Sequence, residues 1–255
     1  MNAQPAGAAG SNGPLSSDPL DGEPLDDELV DEVIDDDLDD DLDDPDDEDD
    51  SAVAPGAGAG GGPGVVVVHD WYGPLPHVAD FADELTMAGF DVELVDMYDG
   101  VTTRDPGRAE ALADDLDDDA ARRLIAAAGK RLRAAGSAHV GVVGFSLGGW
   151  LALRTAGNGR FDAVVAYYAT ADLEVAAEIG CPVQLHLAAD DEFESADDVE
   201  SFVRALRAAS TPVDTFTYRG TEHSFANADV ELSDPGAAEV ALARTIGFLH
   251  ARLAG

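Results

Sequence analysis

The hexapeptide Gly144-Phe145-Ser146-Leu147-Gly148-Gly149 constrains this chain more than any other stretch. An apolar run, Val140 to Phe145, leads into it, and a helix-compatible stretch, Trp150 to Ala156, leads out. G-x-S-x-G between a strand and a helix has a mechanical meaning: the turn is so sharp that the serine side chain is held out above the sheet. Backbone must then pass close to a strained residue, and glycine removes the Cβ that would collide. The helix that begins here also directs free N–H groups and its positive dipole end at the serine, which suits a developing oxyanion.

The rest of the sequence supplies strands and helices to carry such a turn. Val65-Val66-Val67-Val68 is an uninterrupted β-branched run, as a strand buried on both faces requires. It runs into the loop His69-Asp70-Trp71-Tyr72-Gly73. Pro76 opens a helix with Val78, Phe81, Leu85 and Ala88 on one side, and Gly89 closes it. A second strand is expected over Asp91–Met97, then one or two helices covering Ala109–Ala135. Beyond the serine turn, strands are expected at Phe161–Ala169, Pro182–Ala188 and Val213–Tyr218. Ser195 caps a helix bearing Val199, Phe202, Val203 and Leu206, and Asp234-Pro235 starts a last helix with Leu242, Ile246, Leu249 and Leu253 facing inward. Strands alternating with helices give an α/β fold, a mostly parallel sheet with helices on both faces. Ligands of such sheets sit beyond the C-terminal ends of the strands, where Asp70, Ser146, Asp191 and His223 all fall.

Charge divides the chain. Of 53 Asp and Glu, 21 lie in residues 1–64, which contain no Lys or Arg. Residues 1–63 read as a disordered acidic tail ending in a Gly/Ala/Pro linker, and residues 64–255 as the folded domain. Residues 65–255 still hold 32 acids against 14 bases, a net charge of −18, with Lys130 the single lysine. So acidic a surface argues against nucleic acid and anionic membranes as partners. Its pairing of abundant Asp with scarce Lys is similar to that of proteins adapted to molar salt, where counterions screen self-repulsion. No run approaches 18 apolar residues, and the N-terminus has neither a basic start nor an apolar core, so a cytoplasmic protein is expected. The lone cysteine, Cys181, allows no internal disulfide and reads as a small buried hydrophobe.

A serine hydroxyl is a poor nucleophile until a base takes its proton, and a carboxylate keeps that base in the useful tautomer. In α/β-hydrolases the chain order is Ser, acid, His, which here gives Ser146, Asp191 and His223. The other histidines fit less well. His139 precedes a strand, His250 lies in the last helix and His186 belongs to a strand core. His77 is expected to be solvated, and His69, at a strand end, precedes the serine in sequence.

At this point the chain resembles the dienelactone hydrolase family of α/β-hydrolases over roughly residues 62–253. Four stretches carry the likeness: Gly64 to Gly73, Gly144 to Gly149, His186 to Phe193 and Glu222 to Phe225. The resemblance implies Asp191 rather than Asp190 as the acid, and the backbone N–H groups of Trp71 and Leu147 as oxyanion donors. The sequence departs from the archetype in three places. Ser146 stands where the archetype has Cys, which excludes thiol chemistry there. Asp70 stands where it has Glu, making Asp70 an auxiliary candidate. Asn227 replaces an arginine that would hold a substrate carboxylate.

The expected function is a serine hydrolase cleaving a small ester, lactone or thioester through an acyl-enzyme, without cofactor or metal. The alternative is a catalytically idle scaffold that binds a partner through its acidic arm.

Overall fold

The computed structural model describes residues 61–254, with the exception of Asn158. The acidic tail expected over 1–63 thus falls almost wholly outside the described residues. Six strands form one sheet: β1 (Gly64–Val68), β2 (Asp91–Val95), β3 (Val140–Phe145), β4 (Ala163–Tyr167), β5 (Val183–Asp190) and β6 (Val213–Glu222). Their order is β2-β1-β3-β4-β5-β6, and every neighbouring pair is parallel. Helices α1 (Pro76–Met87), α2 (Pro106–Asp114), α3 (Asp118–Ala135), α4 (Leu147–Thr155), α5 (Leu173–Ala176), α6 (Ala196–Ala208) and α7 (Pro235–Leu253) occupy the connections and the C-terminal end.

The β-branched run at β1 shows why the sheet is covered twice. Successive strand side chains point to opposite faces. Val65 and Val67 join the core that holds Val78 and Leu85 of α1 and Phe248, Leu249 and Leu253 of α7. Val66 and Val68 join the core that holds Ile125 and Leu132 of α3, Leu151 and Ala152 of α4, and Phe202 and Leu206 of α6. Burying one such side chain stabilises the fold by about 1.5–3 kcal/mol, so a polar residue on either face of β1 would be costly.

Capping agrees with the sequence. The Ser195 hydroxyl accepts the Asp198 N–H at the start of α6, and the Asp234 carboxylate accepts the Ala237 N–H at the start of α7. The inward stripe of α7 is turned by about one residue from expectation. Ala241, Thr245, Phe248, Leu249 and Leu253 are buried, whereas Leu242 and Ile246 are half-buried.

Two topological features set up the site. The strand order reverses between β1 and β3, and such a reversal opens a crevice at the C-terminal strand ends. The β5–β6 ladder runs further than the sequence indicates. It passes a register shift after Ala188–Tyr218 and resumes with Asp190 opposite Glu222. That last pair brings the next residues, Asp191 and His223, side by side.

Candidate active site

Ser146 joins β3 to α4 with φ 48° and ψ −116°, a conformation few L-residues adopt. Packing holds it there. A Cβ on Gly148 would run into the carbonyl oxygens of Val68 and His69, and one on Gly144 would meet the Gly148 backbone. The N-terminus of α4 therefore lies against the end of β1, where Trp71 follows. Leu147 is the first residue of α4, so its N–H is among the donors a helix leaves unpaired in its first turn.

The Ser146 Oγ lies 2.7 Å from His223 Nε2. On the other side of the ring, His223 Nδ1 is 2.9 and 3.0 Å from the two carboxylate oxygens of Asp191. Asp191 is a pure acceptor when ionised, so Nδ1 carries the proton and Nε2 is free to accept from the serine hydroxyl. Asp191 Oδ1 also accepts the N–H groups of Phe193 and Glu194. Burial pushes the Asp191 carboxyl up, but the His223 bond and charge and these two N–H groups more than offset it and hold the pKa below the usual value. Asp190, the neighbouring candidate, is exposed.

His223 is wedged between aromatic rings, Tyr168 at 4.9 Å and Phe193 at 4.7 Å between centroids. A cavity of about 240 Å³ opens at this point, lined by Trp71, Ser146, Leu147, Trp150, Phe193 and Glu194 among others. Four of the five residues expected to act, Trp71, Ser146, Leu147 and His223, share its wall. Asp191 stands behind His223.

Asp70 does not line that cavity. It is fully buried: Oδ1 accepts the Tyr72 N–H at 2.9 Å and Oδ2 accepts the Asn227 amide at 2.8 Å. Burial raises its pKa above 3.8, against the pull of His77, Tyr72 and Asn227. His77 overturns its expectation of solvation, being only 5% exposed. Its N–H and Nδ1 face Asp229 Oδ2, and its Nε2 lies 3.9 Å from Asp70. The loop after His223 folds over the start of α1 and brings Asp229 with it, a long-range contact with no signature in the helix itself. Burial lowers the His77 pKa, partly offset by Asp70 and Asp229. His69 is a strut. Its Nε2 accepts the Met97 N–H at 3.0 Å, and its Nδ1 therefore donates to the Asp70 carbonyl at 2.6 Å. His186 is core, bonded to Tyr218, Gln184 and Thr245, and burial drives its pKa down to about 3.

Sequence reasoning passed over Trp150, Tyr168 and Glu194 as site residues. Trp150 carried a signal, since four residues after Ser146 is one turn along the same helix face. Tyr168 follows directly on β4, a ligand-facing position in a parallel sheet. Glu194 was hidden in a run of acids. Among the described residues, no group of three His, Cys, Asp or Glu is placed to hold a metal ion, and no helix is long and apolar enough to cross a membrane.

Known proteins resemble this architecture along its length. Residues 51–253 match the family model described as dienelactone hydrolase family. Protein usf of Aquifex pyrophilus is 31% identical over 202 residues, covering 74% of this chain and 87% of that protein. A carboxymethylenebutenolidase of Rhodococcus opacus is 30% identical over 215 residues, covering 75% and 82%. Among solved structures, a dienelactone hydrolase-like promiscuous phosphotriesterase from metagenomic libraries superposes with a TM-score of 0.66 at 20% identity, over 76% of this chain and 88% of that one. The fold is thus the α/β-hydrolase fold, and the chain belongs to the dienelactone hydrolase family.

Proposed function

We propose that this protein is a serine hydrolase that cleaves a small carboxylic ester, lactone or thioester through an acyl-enzyme. The observation that carries the reading is the unbroken hydrogen-bond chain Ser146–His223–Asp191 at the wall of an apolar cavity. In this reading Ser146 Oγ attacks the substrate carbonyl carbon as its proton passes to His223 Nε2. The Asp191 carboxylate, held ionised, stabilises the imidazolium that results. The carbonyl oxygen becomes an oxyanion facing the N–H groups of Trp71 and Leu147. Collapse of that intermediate breaks the bond to the leaving group, which takes the proton from His223. Water, deprotonated by His223, then attacks the acyl-serine; the acid is released and Ser146 regains its proton.

Asp70 serves this reading as a positioning residue. Its carboxylate ties the turn containing Trp71 to the loop that follows His223, through Tyr72 and Asn227. The catalytic domain of this proposal spans 64–255, and the tail 1–63 takes no part in the chemistry.

A fluorophosphonate probe tests the assignment. It should label Ser146 in the folded protein, and Ser146→Ala should abolish labelling together with turnover of 4-nitrophenyl acetate. A folded protein that resists the probe and leaves ester panels intact would instead be an idle scaffold.

A further inference from the structure

The cavity at Ser146 is aromatic and apolar on most sides, with Trp71, Leu147, Trp150, Tyr168 and Phe193 in its wall. Among the described residues lining it there is one carboxylate, Glu194, and no Lys or Arg. Glu194 is fixed in place. Its Oε1 accepts the Thr170 N–H at 3.0 Å, its Oε2 accepts the Thr170 hydroxyl at 2.6 Å, and its own N–H donates to Asp191 at 3.1 Å.

A neighbouring cavity of about 540 Å³ shares Trp150, Phe193 and Glu194 with the first. It adds Asp172, Glu174 and Asp198, and again no Lys or Arg. Arg154 stacks on the Trp150 ring at 4.4 Å, but it is tied to Asp172 at 2.7 Å and lines neither cavity. Asn227 is fully buried and donates its amide to Asp70, so it offers the cavity nothing. Burial raises the Glu194 pKa, while the two Thr170 hydrogen bonds pull it down and favour the ionised form. Above that raised pKa, a substrate carboxylate entering here would lose water, meet a fixed like charge and find no cation among the lining residues.

We infer that Glu194 restricts this site to esters and lactones whose acyl and leaving groups carry no negative charge. Selectivity of this kind works by repulsion rather than by an added contact. The inference rests on the hydrolase reading above and adds to it a substrate class and the residue that sets it.

The test compares two aryl acetates of nearly the same shape, 4-carbamoylphenyl acetate and 4-carboxyphenyl acetate. The kcat/KM ratio is normalised to their rates in hydroxide alone. The full-length wild type should favour the uncharged ester by at least about tenfold, and Glu194→Gln should cut that preference at least about threefold. Glu174→Gln, which alters only the neighbouring cavity, should leave the ratio where it was. A wild-type ratio near unity overturns the inference without any variant, so it stays exposed even if Glu194→Gln fails to fold. An unchanged ratio in a folded Glu194→Gln overturns it as well, as does an equal fall in Glu174→Gln, which would assign the effect to the general acidic field. If the wild type turns over 4-nitrophenyl acetate no faster than Ser146→Ala does, the hydrolase reading itself fails, and the inference with it.

Discussion

The backbone at Ser146 is held in a conformation that costs on the order of 1–3 kcal/mol, and that cost is tolerated because Gly144 and Gly148 let β1, β3 and α4 close around it. Such strain is useful only if the hydroxyl it presents meets a base, and His223 Nε2 is 2.7 Å away. Ser146→Ala and His223→Ala should each lower kcat by about 10³-fold or more while leaving the melting temperature close to wild type. Near-normal turnover of a simple ester by Ser146→Ala would refute the mechanism. The acid can be resolved to one position. Asp191→Asn keeps the shape but presents an amide to Nδ1, so it should cost about 10³-fold or more in kcat. Asp190→Asn, at an exposed side chain, should leave kcat within about twofold, since surface changes seldom matter. The reverse outcome would move the acid by one residue.

At the scale of elements, two contacts decide whether those side chains meet. One is the approach of α4 to β1, which leaves no room for a Cβ on Gly148. Gly148→Ala should push the helix start away from His69 and so separate the Leu147 and Trp71 N–H groups. A loss of kcat larger than any change in KM is expected, because those donors act on the oxyanion and not on the ground-state ester. An active Gly148→Ala would exclude that pair as the oxyanion donors. The other contact is the buried Asp70–Asn227 bond at 2.8 Å. Asp70→Asn sets amide against amide. Combining it with Asn227→Asp restores a donor and an acceptor, so the double variant should recover activity that each single variant loses. Additive losses would deny the pair its positioning role. Asp70 also predicts a pH effect of definite sign. Its pKa is raised in the folded state, so between the unfolded value of about 3.9 and that raised value the folded chain holds this proton while the unfolded chain has released it. The Asp70 contribution to stability therefore falls as pH rises through that window. Urea unfolding at a series of pH values should give a more negative slope for wild type than for Asp70→Asn, and equal slopes would contradict it.

For the whole molecule, the alternation of strand and helix was legible because each element advertises its period, from the Val65–Val68 run to the capped stripe of α6. The serine turn was legible because strand, glycines and helix are contiguous. The pairing of Asp191 with His223 could be expected only from chain order and family likeness, since its physical cause is the β5–β6 register shift, which Arg219-Gly220-Thr221 disguises as a loop. The burial of His77 is invisible in the sequence for a related reason, its cover arriving from a loop 152 residues away. What the sequence displays most openly is charge, and that property belongs to no element. Residues 65–255 carry −18, while Arg104, Arg131, Arg133, Arg154 and Arg204 each already face a carboxylate. The surplus acids therefore have few cations left to meet. At 0.01 M salt the Debye length is about 30 Å, comparable to the domain, and the surplus repels across the whole surface. At 1 M it is about 3 Å and only adjacent charges interact. Salt also weakens the surface ion pairs, but those are worth about 0–1 kcal/mol each and several are well exposed. Relief of the general repulsion should win, since it acts most on the compact state. The melting temperature of the full chain should therefore climb steadily from 0.01 to about 1 M KCl, with NaCl giving the same curve if screening is the cause. A flat or falling melting temperature would defeat the high-salt reading, and a strong difference between the two salts would point to specific ion binding in place of screening.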